Sequence, residues 1–183
     1  MKQSMRMILT LVIIASISGA ILAKVYNMTK SKIEVQQQKN TEQAIFSVVP
    51  NTKTYKSKSY DSIEVFRCFD RNNKLSGVAF TAEGAGYQNV IKLMIGLNRD
   101  LTEITAIKIL KDEETPGLGA RINEDCFQNQ FESKATDIEL KIIRGEPKKA
   151  DQIQAITGAT ISSEAVIDIV NKKVKKVKQA LNE

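Results

Sequence analysis

The stretch QAITGATISS, residues 154–163, decides how the rest of this chain is interpreted. Its small and hydroxylated residues come directly before apolar residues at three- and four-residue intervals, a spacing typical of a helix. Those apolar residues are Val166, Val170, Val174, Val177 and Leu181. Ser162 or Ser163 is the expected N-cap, because a serine hydroxyl accepts a hydrogen bond from the first helical turn. Thr160 would then lie just outside the helix N-terminus, where unpaired N–H groups favour a phosphate.

The stretch ETPGLGAR, residues 114–121, is a second unusual segment, and it follows a predicted strand. Pro116-Gly117 is a turn signal, and Gly119 would let the backbone come close to something flat or bulky. Taken alone, each stretch also has a plain structural interpretation. A capped turn explains residues 154–163, and a tight strand-to-helix turn explains residues 114–121.

Together the two stretches resemble the hallmarks of the FMN-binding domain found in the G subunit of Rnf electron-transport complexes and the C subunit of sodium-translocating NADH:quinone reductases. In that family the last Thr of a Ser/Thr-Gly-Ala-Thr core carries FMN through a phosphoester bond, and Thr160 occupies that position here. The Gly84–Tyr87 turn and the Phe-x-x-Gln-Phe pattern of residues 127–131 are also similar. The resemblance covers about residues 60–175.

The resemblance implies a flavin site built from residues 154–163, here called the acceptor stretch, and residues 114–119, called the ETPGLG loop. The implied residues of the acceptor stretch are Thr160, as the covalent attachment point of FMN, with Thr157, Gly158, Ala159 and Ser162. Those of the ETPGLG loop, which lines the flavin pocket in the family, are Glu114, Thr115, Gly117, Leu118 and Gly119. The implied partner for attachment is a FAD-dependent flavin transferase. Gln154 stands where the family usually has Asp, so we expect slower or more transferase-dependent attachment.

Composition excludes several other classes of function. The chain has 27 Lys and Arg against 21 Asp and Glu, but much of the excess lies in the final predicted helix. No nucleic-acid motif accompanies it and only 5% of residues are aromatic, so no nucleic-acid partner is expected. There is no His and no CxxC spacing, which argues against a metal site and against a catalytic acid–base pair. Cys68 and Cys126 are expected to be two buried thiols, with a disulfide as the open alternative.

An uncharged segment from Met7 to Ala23 predicts a membrane anchor. As a helix it would span about 25 Å, the short end of what crosses a bilayer. A cleaved signal peptide is the alternative, because Lys2 and Arg6 form a short basic region, but Ile21 and Ala23 match a cleavage site poorly. The short N-terminal tail, together with the family resemblance, favours a single-pass protein of the cell membrane with an extracytoplasmic domain.

The expected organisation is a tail, an anchor, a stalk helix and one domain of the α+β class. The corresponding ranges are residues 1–6, 7–23, 24–50 and 51–183. Alternation predicts strands at Ser62–Asp70, Lys74–Phe80, Asn89–Leu97 and Glu103–Leu110, with a short helix near residues 125–131 and a further strand near residues 135–144. The polar run Asn51–Ser62 is expected to be a loop. An antiparallel sheet followed by packed helices is the predicted fold.

The expected function is electron transfer by a membrane-anchored FMN subunit of an Rnf-type ion-translocating ferredoxin:NAD oxidoreductase complex. Such a subunit contributes one redox centre to a translocase and passes electrons between the centres of other subunits. It is not expected to be catalytic alone. The compact length resembles the Rnf G subunit more than the longer C subunit of the quinone reductase, which stays as an alternative. A second alternative is a membrane-anchored interaction domain that has lost its cofactor.

Overall fold

The structure is a computed structural model that describes residues 2–60 and 63–182. The chain divides into two compact units, residues 1–40 and residues 41–183. Each unit is described by itself below.

The first unit is helical. Helix α1 (Lys2–Val48) runs through it, and the last turns of α1 belong to the second unit. The predicted anchor and stalk are therefore one continuous helix in the described residues. Its apolar side chains between Met7 and Leu22 are exposed, and the helix is long and apolar enough to cross a membrane.

The second unit is built on an antiparallel sheet with strands in chain order. The strands are β1 (Thr54–Tyr60), β2 (Ile63–Phe69), β3 (Leu75–Ala85), β4 (Val90–Asn98), β5 (Glu103–Lys111) and β6 (Lys134–Ala135). Two further strands, β7 (Lys141–Ile143) and β8 (Gln152–Gln154), form a separate parallel pair. The helices of this unit are α2 (Asp125–Gln128) and α3 (Thr160–Asn182), and single 3-10 turns cover Gly119–Asn123 and Asn129–Phe131.

Both faces of the sheet are covered, so the central strands carry consecutive buried residues instead of alternating ones. All five residues from Leu93 to Leu97 in β4 are buried. Alternate side chains point to opposite faces of a sheet. The buried side chains on one face of the sheet pack with the apolar residues of α3. Met94 points to the opposite face and packs under Ala44, Ile45 and Val48 at the end of α1. The α+β class, the antiparallel sheet and its packed helices are as predicted.

The carboxyl end of α1 and the residues directly after it are held by hydroxyl groups, two of which belong to sheet residues. Thr105 donates to the Val48 carbonyl, Thr52 to the Val49 carbonyl at 2.8 Å, and Ser76 to the Pro50 carbonyl at 2.8 Å. Carbonyls at a helix end lack intrahelical donors, and these hydroxyls supply them. Close approach requires a small residue beneath, because a Cβ at Gly96 would overlap the Val48 carbonyl.

Most of the sequence-predicted elements are present, with two differences. The expected loop at Asn51–Ser62 is wrong, because β1 pairs with β2 over its whole length, from Thr54 opposite Phe69 to Tyr60 opposite Ile63. This strand has no fully buried residue and lacks the apolar alternation that marks a strand. It is held at the sheet edge by backbone pairing and by the partly buried Tyr55 and Tyr60. The single strand expected near residues 135–144 is two short ones, β6 and β7. Asp61 and Ser62, at the boundary of two predictions, lie outside the described residues.

Candidate functional site

The acceptor stretch turns directly into α3, which begins at Thr160 and therefore earlier than the sequence predicts. The expected N-cap at Ser162 or Ser163 is wrong, because both serines are buried inside the first turn. Gly158 makes the sharp turn with φ of 83°, a left-handed conformation that glycine adopts without strain. The Ser163 hydroxyl accepts from the Ile156 N–H at 3.1 Å and donates to the Ala159 carbonyl at 2.9 Å. It closes the turn from within.

The start of α3 leaves backbone donors free. Among the described residues, Ser163 is the first in the helix whose N–H has a backbone partner, the Ala159 carbonyl at 2.9 Å. The N–H groups of Thr160, Ile161 and Ser162 have none in that part of the chain. The Thr160 side chain is half-buried beside them. Free N–H groups and the helix dipole together favour an anion at this point.

A buried carboxylate, Glu114, supports the acceptor stretch from behind. One of its oxygens accepts from the backbone N–H of Tyr87 at 2.9 Å and of Gln88 at 3.1 Å. The other accepts from the Ser162 hydroxyl at 2.6 Å. Glu114 is only 4% exposed, and hydrogen bonds of this kind are what makes a buried carboxylate tolerable. The ETPGLG loop, the Gly-Tyr turn and α3 are thus joined by a single side chain.

Two glycines allow this carboxylate to fit. A Cβ at Gly86 would overlap a Glu114 oxygen, and a Cβ at Gly119 would lie 2.7 Å from Glu114 Oε2 and 2.7 Å from Ser162 Oγ. The close approach expected of Gly119 is therefore an approach to protein groups. Gly117 differs, because it has φ of 76° and a Cβ there would meet nothing within 4 Å. It turns the loop beside open space.

The remaining residues of the ETPGLG loop shape its turn and its outer surface. The Thr115 carbonyl accepts from the N–H groups of Leu118 at 3.1 Å and Ala120 at 3.2 Å. The Leu118 side chain is 49% exposed and lies next to Gly158, 3.3 Å from where a Cβ would be. Ile161, at 57% exposed, follows Thr160 directly. Two exposed apolar side chains thus lie at the acceptor stretch, one next to Gly158 and one at the residue after Thr160.

The Phe-x-x-Gln-Phe segment supports the acceptor stretch through Gln130. The Gln130 amide donates to the Gln154 carbonyl at 3.3 Å and accepts from the Gln154 N–H at 2.7 Å. Phe127 and Phe131 are buried and meet edge to face, with ring centroids 5.5 Å apart. The backbone of Gln154 is therefore held in place while its side chain is exposed.

Arg121 contacts the acceptor stretch, and the sequence reasoning assigned it no role. Its Nη1 donates to the Thr157 carbonyl at 3.5 Å. Glu124 accepts from Nε at 3.0 Å and from Nη2 at 3.3 Å. The hydrogen bond and charge of Glu124 raise the pKa of Arg121, and Arg121 in turn lowers the pKa of the Glu124 carboxyl. The signal that could have found Arg121 is its place two residues after the ETPGLG loop.

Other features of the second unit lie apart from this site. A cleft of about 790 Å³ is lined by α3 and the segment from Ala135 to Leu140, and none of its lining residues belongs to either hallmark stretch. In the part of the chain that the structure describes, no cluster of His, Cys, Asp or Glu could hold a metal ion. Both cysteines are free: Cys68 is buried as expected, and desolvation raises the pKa of its thiol. The expected burial of Cys126 is wrong, because it is exposed.

Comparison with known proteins defines the class to which this fold and site belong. Residues 86–175 match the FMN-binding domain family, a span that includes the ETPGLG loop and the acceptor stretch. Among solved structures, Shewanella oneidensis NqrC is similar with a TM-score of 0.58 and 20% identity, over 70% of this chain and 67% of that one. The C subunit of the Na⁺-translocating NADH-quinone reductase from Parabacteroides distasonis has a TM-score of 0.54 and 21% identity, over 66% of this chain and 62% of that one. These structures show the fold.

Relatives along nearly the whole chain are subunits of one kind of complex. The G subunit of a proton-translocating ferredoxin:NAD⁺ oxidoreductase complex from Clostridium ljungdahlii is 32% identical, over 91% of this chain and 88% of its own length. The G subunit of a Na⁺-translocating ferredoxin:NAD⁺ oxidoreductase complex from Acetobacterium woodii is 31% identical, over 91% and 87%. The G subunit of the ion-translocating oxidoreductase complex from Methanosarcina acetivorans is 29% identical, over 94% of this chain and 94% of its own length. The chain belongs to this family of G subunits, whose members it matches across both the helix α1 and the FMN-binding domain.

Proposed function

We propose that this chain carries FMN covalently on Thr160, through a phosphoester, and that it transfers electrons within a membrane-bound ion-translocating ferredoxin:NAD oxidoreductase complex. The observation that carries the proposal is the start of α3. There the half-buried Thr160 lies at the N–H groups of residues 160–162, which have no hydrogen-bond partner among the described residues. A phosphate attached to the Thr160 hydroxyl would be held by those donors.

The residues around Thr160 fit the rest of an FMN molecule. Leu118 and Ile161 are exposed at 49% and 57%, and a flat aromatic ring that packs on them would remove apolar surface from water. The open space at Gly117 leaves room next to them. Bound FMN supplies reversible electron transfer, and the protein contributes its orientation and surroundings. Glu114 and Gln130 contribute by fixing the ETPGLG loop and the acceptor stretch in place.

Attachment is a phosphoryl transfer from FAD, and the proposed partner for it is a FAD-dependent flavin transferase. The Thr160 oxygen forms a bond to the phosphorus of the FMN half, the pyrophosphate bond to the AMP half breaks, AMP leaves and the hydroxyl proton is released. Thr160 and the neighbouring Thr157 and Gly158 are accessible enough for an enzyme to reach. A covalent link would keep the flavin on a protein whose domain faces a dilute exterior.

The domain is proposed to lie outside the cytoplasm, anchored by the apolar part of α1. The segment from Met7 to Ala23 carries no charge, and no convincing cleavage site precedes Lys24. Protease added to intact cells should digest the domain, and N-terminal sequencing of the membrane-purified protein should find the uncleaved start. A mature N-terminus at Lys24 would contradict the anchor.

The experiment for the attachment site compares Thr160→Val with Thr157→Val in a host that has a flavin transferase. Thr160→Val keeps the side-chain shape and removes the acceptor hydroxyl, so flavin fluorescence on a denaturing gel should vanish while the protein still folds. Thr157→Val should keep at least some label. Peptide mass spectrometry should find the FMN adduct on Thr160. An adduct on Thr157, Ser162 or Ser163 would move the site, and its absence from the wild-type protein would favour the cofactor-free alternative.

A further inference from the structure

Arg121 is a cationic side chain that, among the described residues, contacts the acceptor stretch from outside it. Residues 154–163 contain no Lys, Arg, His, Asp or Glu of their own, so any charge that faces a bound anion must come from elsewhere in the fold. Arg121 follows the ETPGLG loop in the 3-10 turn Gly119–Asn123, and its Nη1 reaches the Thr157 carbonyl at 3.5 Å. Thr157 is three residues before Thr160.

The guanidinium of Arg121 is oriented, and part of its hydrogen-bonding capacity is unused. Glu124 accepts from Nε at 3.0 Å and from Nη2 at 3.3 Å, a two-point contact that fixes the plane of the group. A guanidinium has five N–H donors. Glu124 and Thr157 take three of them, which leaves two that the described residues do not use. The side chain is 40% exposed, so a ligand on the surface can reach them.

We propose that Arg121 binds the phosphodiester that would link FMN to Thr160, donating an N–H to one of its non-bridging oxygens. This inference rests on the proposed function. The free N–H groups at the start of α3 would hold the phosphate from the helix side, and Arg121 would hold it from the side of Thr157. Arginine suits this role because its planar group offers several directed donors to phosphate oxygens.

The contribution of Arg121 is directional more than electrostatic. Glu124 neutralises its charge within the pair, so the gain comes from hydrogen bonds made by an already oriented group. Hydrogen bonds to charged groups are stronger than neutral ones, but this side chain is partly exposed and solvent weakens the contact. The expected effect of losing it is therefore about three- to tenfold in the rate of attachment when the transferase is limiting.

The test uses the full chain in detergent, purified from a host with a flavin transferase. Arg121→Gln removes the cation and keeps an amide, and Arg121→Lys restores charge without the planar group. Lys108→Gln is a matched control, because Lys108 is also half-exposed, at 44% against 40%, and is paired with an acidic residue, Asp125. Phosphorus NMR of the flavinylated protein reports on the linking phosphodiester itself.

The phosphorus resonance should move in Arg121→Gln, move less in Arg121→Lys and stay in place in Lys108→Gln. The attachment rate should follow the same order. Wild-type protein without FMN on Thr160 would overturn the proposed function and this inference with it. Wild-type protein with FMN on Thr160 and an unmoved resonance in Arg121→Gln would overturn only the role of Arg121. A slower rate without a moved resonance would overturn it too, and would assign Arg121 to contact with the transferase.

Discussion

Two helix ends meet the sheet within residues 41–182. The named backbone carbonyls at one end have hydrogen-bond partners, whereas, in the described part of the chain, the first N–H groups at the other end do not. At the end of α1, the carbonyls of Val48, Val49 and Pro50 all accept hydrogen bonds from side-chain hydroxyls. At the start of α3, the N–H groups of residues 160–162 have no partner among the described residues. We call these places the α1 junction and the α3 junction.

This contrast indicates which junction can bind a ligand. The three carbonyls named at the α1 junction already accept hydrogen bonds, so these contacts hold the end of the helix in place. The α3 junction also has buried hydrogen bonds, through Glu114, Ser162 and Ser163, but they lie behind the helix start. Its front is left unsatisfied on a rigid support, which is what an anion site requires.

Removal of the Glu114 carboxylate should have the largest effect on the α3 junction. Glu114→Ala would leave the N–H groups of Tyr87 and Gln88 and the Ser162 hydroxyl without their acceptor. We expect the free energy of unfolding to fall by about 3 kcal/mol, because the buried Ser162 hydroxyl and two partly buried N–H groups would lose a charged acceptor. Flavin fluorescence on a denaturing gel should also fall, because the acceptor stretch loses its support.

Glu114→Gln separates the charge of this residue from its shape. An amide oxygen can still accept from the two backbone N–H groups, and the amide nitrogen can donate to Ser162, whose hydroxyl can also accept. The loss in urea unfolding should therefore stay within about 1 kcal/mol. Equal losses for the Ala and Gln variants would mean that the negative charge, and not the hydrogen-bond pattern, joins the three segments.

A glycine lies at each junction. Substitution by alanine should mainly lower stability at the α1 junction and mainly lower flavin attachment at the α3 junction. A Cβ at Gly96 would overlap the Val48 carbonyl, so Gly96→Ala forces the backbone of the α1 junction apart. We expect a loss of about 1–3 kcal/mol in the free energy of unfolding, with flavin per folded molecule unchanged. Urea unfolding and gel fluorescence measure the two quantities.

Gly119→Ala is the counterpart at the α3 junction. Its Cβ would lie 2.7 Å from side-chain oxygens of Glu114 and Ser162, which can move more easily than a carbonyl of the main chain. The stability loss should be smaller than for Gly96→Ala, and the flavinylated fraction should fall. A Gly119→Ala protein with normal attachment would show that the contact between Glu114 and Ser162 does not govern the acceptor stretch.

Gln154→Asp should have the smallest effect on stability and should act on attachment alone. The backbone of Gln154 is held by Gln130 and its side chain is exposed, so the substitution disturbs no side-chain contact that the structure shows. A carboxylate there could help a transferase recognise the stretch. We expect a higher flavinylated fraction at limiting transferase with an unchanged unfolding curve. An unchanged fraction would mean that the transferase does not read that charge.

The predicted elements that succeeded are those in which local pattern and burial agree. Alternation marked β2 and β5 because one set of their side chains enters a core, and the spacing of Val166, Val170 and Val174 marked α3 for the same reason. Strand β1 was missed because none of its residues is fully buried, so it has no apolar alternation, and its pairing with β2 cannot be read from its own sequence. The predicted start of α3 was wrong because Ser162 and Ser163 are residue types that commonly cap helices. In the structure Ser163 bonds within the turn, and Ser162 bonds to Glu114, which is distant in sequence.

Local spacing and residue type were enough to predict the class of fold and the apolar segment of α1, and the family resemblance added the two stretches of the candidate site. What those residues contact depends on how distant parts of the chain pack together. The tertiary structure placed Glu114 48 residues in sequence from Ser162 yet in hydrogen-bond contact with it, and Arg121 36 residues from Thr157 yet against its carbonyl. Such contacts depend on the packing of α3 and the ETPGLG loop against the same sheet, and no local pattern carries that information.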